Sequence, residues 1–89
     1  MNYFNIQPIQ ITINNPFDYK TITAIKWNAI NVPRGSSEPS TFNCLLVDEN
    51  NIDVYCWQLQ IPSNTIDTWL DDSIIDDYIC SIDNRFVKV

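Results

Sequence analysis

The chain is 89 residues long, carries eleven Asp and Glu against five Lys and Arg for a formal charge of -6, and contains no histidine. A length of this order supports one hydrophobic core and hence a single domain, 1–89. The cations Lys20, Lys26, Arg34, Arg85 and Lys88 stand singly, which excludes a nucleic-acid surface built on clustered Lys and Arg.

No run of about 18 apolar residues occurs, and Met1 to Ile13 lacks a basic region followed by a hydrophobic stretch. Neither a membrane span nor a signal peptide is expected, and the predicted compartment is a cytoplasm. Cys44, Cys56 and Cys80 show no C-x-x-C spacing, so they read as reduced, packed thiols rather than as a disulfide framework. Gly35 is the one glycine, which leaves tight turns to Asn, Asp and Pro.

In chain order, Ile9-Gln10-Ile11-Thr12-Ile13 alternates with period two and is halted by Asn14-Asn15-Pro16, the pattern of a short half-buried strand and turn. From Thr21 to Val32 the residues favour strand but the apolar phase slips, which predicts a β-bulge or bend. Pro33 to Ser40 is a loop with two prolines and the glycine, and it is expected to be exposed. Phe42, Cys44 and Leu46 then face one way and Leu45 and Val47 the other, so this strand is predicted to be central. Asp48-Glu49-Asn50-Asn51 turns the chain into Val54–Ile61, whose Tyr55, Trp57, Leu59 and Ile61 share a face. A hairpin centred on Asn50 would set Cys44 opposite Cys56, within bridging reach.

Past Pro62 the period becomes helical. Ile75, Tyr78, Ile79 and Ile82 form one stripe, while Ile66, Trp69 and Leu70 form another that points elsewhere, so a break near Asp71-Asp72 is required. Ser73-Ile74-Ile75-Asp76 fits a capping box, and Arg85 to Val89 alternates as a last edge strand would. These elements predict an α+β domain: a small antiparallel sheet of four to five strands with two short C-terminal helices packed on one face. A β-sandwich-like domain with a C-terminal helix is the alternative.

The absence of histidine removes the commonest general base and the Ser-His and Cys-His nucleophile pairs. With one glycine, G-x-G-x-x-G and the P-loop are also excluded. Asp71, Asp72, Asp76 and Asp77 could in principle meet a hard cation's demand for oxygen, but their spacing is not that of an EF-hand, and they read as capping groups on a solvated helix face. Twelve and twenty-four residues separate the cysteines, which matches no structural-zinc pattern. The expectation is therefore no enzyme, no metal and no cofactor. Of the eleven aromatics, Trp27, Trp57 and Trp69 suit core anchoring, whereas Tyr3, Phe4, Phe17 and Tyr19, together with Arg34 in the loop, are the candidate interface.

The segment from Ile61-Pro62 through Trp69, Asp71-Asp72 and Tyr78-Ile79 resembles a pattern found in small proteins encoded among tailed-bacteriophage structural genes. In it an I-P strand end precedes a short helix with a tryptophan, then paired aspartates and an aromatic-bearing terminal helix. Leu70, where that pattern has glycine, and Ser73-Ile74, where an aromatic commonly follows, depart from it. The resemblance covers the C-terminal half and implies a virion component, an adaptor or decoration subunit of head, connector or tail. Its implied partners are other virion proteins and copies of itself, without nucleic acid or membrane. The expected location is the virion, and the host cytoplasm during assembly. The competing expectation is an acidic phage-encoded inhibitor of a host enzyme, in which the six acids between Asp67 and Asp83 imitate a phosphate backbone.

Overall fold

Four stretches of strand-favouring residues pair in the order they occur. The computed structural model describes residues 2–12, 19–33, 35 and 37–89. It contains β1 (Asn2–Thr12), β2 (Tyr19–Asn31), β3 (Ser40–Asp48) and β4 (Asp53–Ile61), followed by α1 (Ser63–Ile66) and α2 (Ser73–Ser81). The strands form one antiparallel sheet, β1-β2-β3-β4, in a small α+β fold, rather than the two facing sheets of a sandwich. β3, which sets Leu45 and Val47 on the face opposite Phe42, Cys44 and Leu46, is internal, as apolar residues on both faces favour.

β1 is longer than its alternation suggests, because the buried parity changes within it. Phe4 and Ile6 face inward in its first half, whereas Ile9 and Ile11 are half-buried in its second. The ladder with β2 is interrupted between Asn5 and Ile9, and Pro8 falls inside that interruption, where its missing N–H breaks no ladder bond. The turn expected at Asn14-Asn15-Pro16 lies outside the described residues. In β2 the phase slips become two register shifts, one between Ile22 and Ala24 and one between Ala29 and Asn31. The first leaves Ile22 and then Ile25 and Trp27 fully buried.

The β3–β4 turn is organised by one carboxylate. Asp48, itself buried, accepts the backbone N–H groups of Asn50 and Ile52 at 2.9 Å each through Oδ1. Asn51 completes the turn with φ 64°, a left-handed conformation that Asn tolerates better than most residues.

The core joins sheet residues Trp27, Phe42, Cys44 and Leu46 to Ile75 and Ile79 of α2 and to Phe86. Trp27, Phe42 and Trp69 meet as a trio of rings with centroids 5.6–6.0 Å apart. At the rim of this aromatic packing the Trp27 indole N–H donates to Asp76 Oδ1 at 2.8 Å, and Asp76 also pairs with Lys88 at 3.1 Å. The expected first helical stripe is only partly realised: α1 stops at Ile66, so Trp69 packs from the following turn and Leu70 is 92% exposed. Ile82 also falls beyond α2 and is 44% exposed.

The capping box does not form. Asp72 already has helical backbone angles, and it is Asp71 that caps, its carboxylate accepting the Ser73 N–H at 2.8 Å and the Ser73 hydroxyl. The terminal alternation yields one bridge, Ile6 to Lys88, instead of a fifth strand. Two backbone bonds hold it, Gln7 N–H to Val87 O (2.8 Å) and Val89 N–H to Asn5 O (3.1 Å). Phe86, two residues earlier, stacks on Trp57 of β4, so this short tail touches both outer strands of the sheet.

Replacing Trp27 by Phe keeps most of the ring but removes the donor to Asp76, and the unfolding free energy from urea titration should fall by about 1–3 kcal/mol. Hydrogen bonds from Ser73 hold the Asp71 carboxyl below its ordinary range, and those from Arg85 do the same for Asp83. A depressed carboxylate stabilises the fold above its unfolded-state pKa, and that contribution disappears as pH falls through the folded value. Asp71→Asn keeps an acceptor but cannot titrate, so its urea midpoint should decline less than wild type between about pH 4 and about pH 2.

Candidate functional site

Candidate contact residues separate into different environments once folded. Tyr3 lies on the sheet face away from the core, opposite Lys26, and is 66% exposed. Phe4, its neighbour, points the other way and is buried in the core, because alternation along a strand sends successive side chains to opposite faces. Phe4 is therefore withdrawn from the candidate interface. Tyr19 is exposed opposite Thr12. Phe17 and Arg34 lie outside the described residues.

The aspartates do not converge. Asp71 is bound to Ser73, Asp72 lies 3.4 Å from the Trp69 indole nitrogen, and Asp76 is shared between Trp27 and Lys88. Among the described residues no three Asp, Glu or Cys gather in a way that could hold a metal ion.

Two shallow hollows are present. One, of about 370 Å³, lies on the face bearing Tyr3, Asn5, Lys26 and Val47 beside the β3–β4 turn. The other, of about 330 Å³, lies between the Pro33–Ser40 connection and α1, with exposed Leu70 at its margin.

The feature with clearer binding chemistry is the outer edge of β4. This strand has one neighbour, β3, and its register with it runs unbroken through seven pairs, from Tyr55↔Leu46 to Ile61↔Ser40. A sheet edge exposes alternate N–H and C=O groups to any chain that can pair with them, and proteins commonly block it with Lys, Pro or a bulge. Tyr55–Ile61, Y-C-W-Q-L-Q-I, contains neither Lys nor Pro. The one bulge sits earlier, between the Leu46 and Val47 pairings, where Val54 is the extra residue. By contrast the outer edge of β1 already carries the bonds to Val87 and Val89.

The same bulge corrects the cysteine geometry. The turn sets Val47 opposite Asp53, which would bring Cys44 opposite Cys56 as expected, but the extra residue advances the ladder by one. Cys44 then faces Trp57 on the core side, and Cys56 faces Leu45 on the other. The two thiols lie on opposite faces of the sheet and cannot bridge.

On the core side of the edge, Tyr55 stacks on Trp57 (centroids 6.2 Å) and Trp57 on Phe86 (6.4 Å), so the exposed Tyr55 ring is held by a row of aromatics. The only charge on β4 is Asp53, and Lys26 pairs with it at 3.1 Å. The hydrophobic pattern of β4 does not mark it as an edge, since strand order decides which strand is outermost.

Burial pushes the Cys44 thiol up to about 12, with the neighbouring Cys56 adding to the effect, and burial raises Cys80 as well. Cys56 alone of the three is exposed. Brief treatment of the folded protein with a maleimide near neutral pH should therefore label Cys56 first, with Cys44 modified only after denaturant is added, as read by peptide mass spectrometry. No family model matches the chain, and no curated protein or solved structure matches it either.

Proposed function

We propose that this chain is a non-enzymatic structural subunit of a bacteriophage particle, a small adaptor or decoration protein that joins its neighbours through protein–protein contacts. In this reading both short helices brace one face of the sheet, and the β4 edge with its exposed Tyr55 meets the partner. The carrying observation is that edge: seven regularly paired residues, locally neutral in a chain of charge -6, with no residue that blocks strand addition. Strand addition draws affinity from main-chain hydrogen bonds and specificity from alternate side chains, so it needs no cofactor and no catalytic group. Repetition of the contact over a symmetric particle multiplies a modest affinity.

The competing role as a phosphate-mimicking inhibitor asks for carboxylates presented freely to a partner. Asp71, Asp76 and Asp83 are each engaged within the chain, by Ser73, by Trp27 and Lys88, and by Arg85. That engagement favours the structural role.

Quantitative mass spectrometry of purified particles from a phage carrying this gene tests the assignment. A constant ratio to the major capsid protein across preparations is expected. Absence from particles, together with abundance early in infected cells, would reject it.

A further inference from the structure

We infer that the partner of the β4 edge is a second copy of this chain, paired antiparallel about a two-fold axis at Gln58 so that two four-stranded sheets continue into one of eight. This inference rests on the proposal that β4 is the assembly edge, and it specifies the occupant and the register.

Three observations select a copy of the same chain. First, β4 offers the longer open run: the outer side of β1 is bonded at Asn5 and Gln7 to Val89 and Val87 and is interrupted by Pro8, whereas among the described residues no such backbone bond reaches the outer side of the seven residues Tyr55–Ile61. Second, the segment Tyr55–Ile61 is uncharged. Its one flanking charge, Asp53, is paired with Lys26, so two copies can approach along this strand without opposing unpaired carboxylates, although each chain carries -6 overall. The acids between Asp67 and Asp83 lie in α2 and in the turns before and after it, not in the strand.

Third, the side chains match under a two-fold axis. Such an axis, perpendicular to the sheet, keeps each face on its own side, so an antiparallel self-pair must be centred on a residue. The bulge at Val54 limits the regular edge to Tyr55–Ile61, whose central residue is Gln58. Centring there opposes Tyr55 to Ile61 and Trp57 to Leu59 on the core face. On the other face it opposes Cys56 to Gln60 and Gln58 to itself. Apolar residues meet apolar ones, and the two Gln58 amides can bond each other, each having donors and an acceptor. The arrangement is isologous and closes at two copies, so an unblocked edge leads to a dimer instead of a fibre.

Sedimentation velocity of the full chain over a range of concentrations, with site-directed disulfide trapping, tests the inference. In a Cys56→Ser background, Gln58→Cys should form an interchain disulfide under mild oxidation, because directly opposed strand residues have Cα atoms about 4.5–5.5 Å apart, within disulfide range. Gln60→Cys in the same background should not, since its counterpart lies four residues along the strand, roughly 13 Å away. Gln58→Lys opposes two like charges at the axis and should weaken the dimer at least tenfold while leaving the far-ultraviolet circular dichroism unchanged.

A monomer at every concentration overturns the inference, as does equal trapping at the two positions or a dimer indifferent to Gln58→Lys. Detection of a monomeric chain in particles would reject the self-pairing and leave the structural role standing. A dimer trapped at Gln58 but absent from particles would do the reverse.

Discussion

The indole of Trp27 connects the parts of this protein that sequence distance keeps apart. Its ring is buried in β2 against Phe42 and Trp69, and its N–H reaches Asp76 on α2, which in turn pairs with Lys88 in the terminal segment. A buried tryptophan needs a partner for its one polar atom, and a partly buried carboxylate needs donors. Each requirement is met by the other, so the polar rim of the core fixes where α2 sits while the rings and Ile75 and Ile79 supply the apolar contact.

Beyond that junction, the sheet's local irregularities set which side chains face the core. The shift after Ile22 turns Ile25 and Trp27 inward, and the bulge at Val54 turns Trp57 inward opposite Cys44. Because side chains alternate with period two, one extra residue reverses the facing of everything after it. That single residue in β4 separates Cys44 from Cys56 and joins Trp57 to Phe86. The tail reaches β1 and β4 by two different means, a bridge at Ile6 and a ring stack at Trp57, and the bridge is what occupies the β1 edge.

An uneven sheet follows, with one edge occupied around Ile6 and, among the described residues, the other open along Tyr55–Ile61. The open edge also carries no charge along Tyr55–Ile61, and the one carboxylate of its strand, Asp53, is answered by Lys26. These two properties support the proposed assembly role and the self-pairing about Gln58. They depend on backbone groups and strand order, not on any cluster of reactive side chains.

Period-two and helical patterning by themselves determined the central position of Phe42–Val47, the phase slips of β2, the Asp48–Asn51 turn and a C-terminal helix carrying Ile75 and Ile79, because these follow from local side-chain periodicity and turn chemistry, whereas the choice of a single sheet over a sandwich-like one came from strand order. Tertiary structure decided the rest. The full length of β1 was hidden by the parity change around Pro8, and Phe4 joined the core instead of the surface. Asp71 took the capping role from Ser73, and Leu70 was left exposed when α1 ended after four residues. Only strand order could make β4 an open edge, and only a one-residue bulge could choose the faces of its cysteines. Both arise from pairing between distant segments, whose register is set by the whole core and is not encoded in the pattern of any one strand.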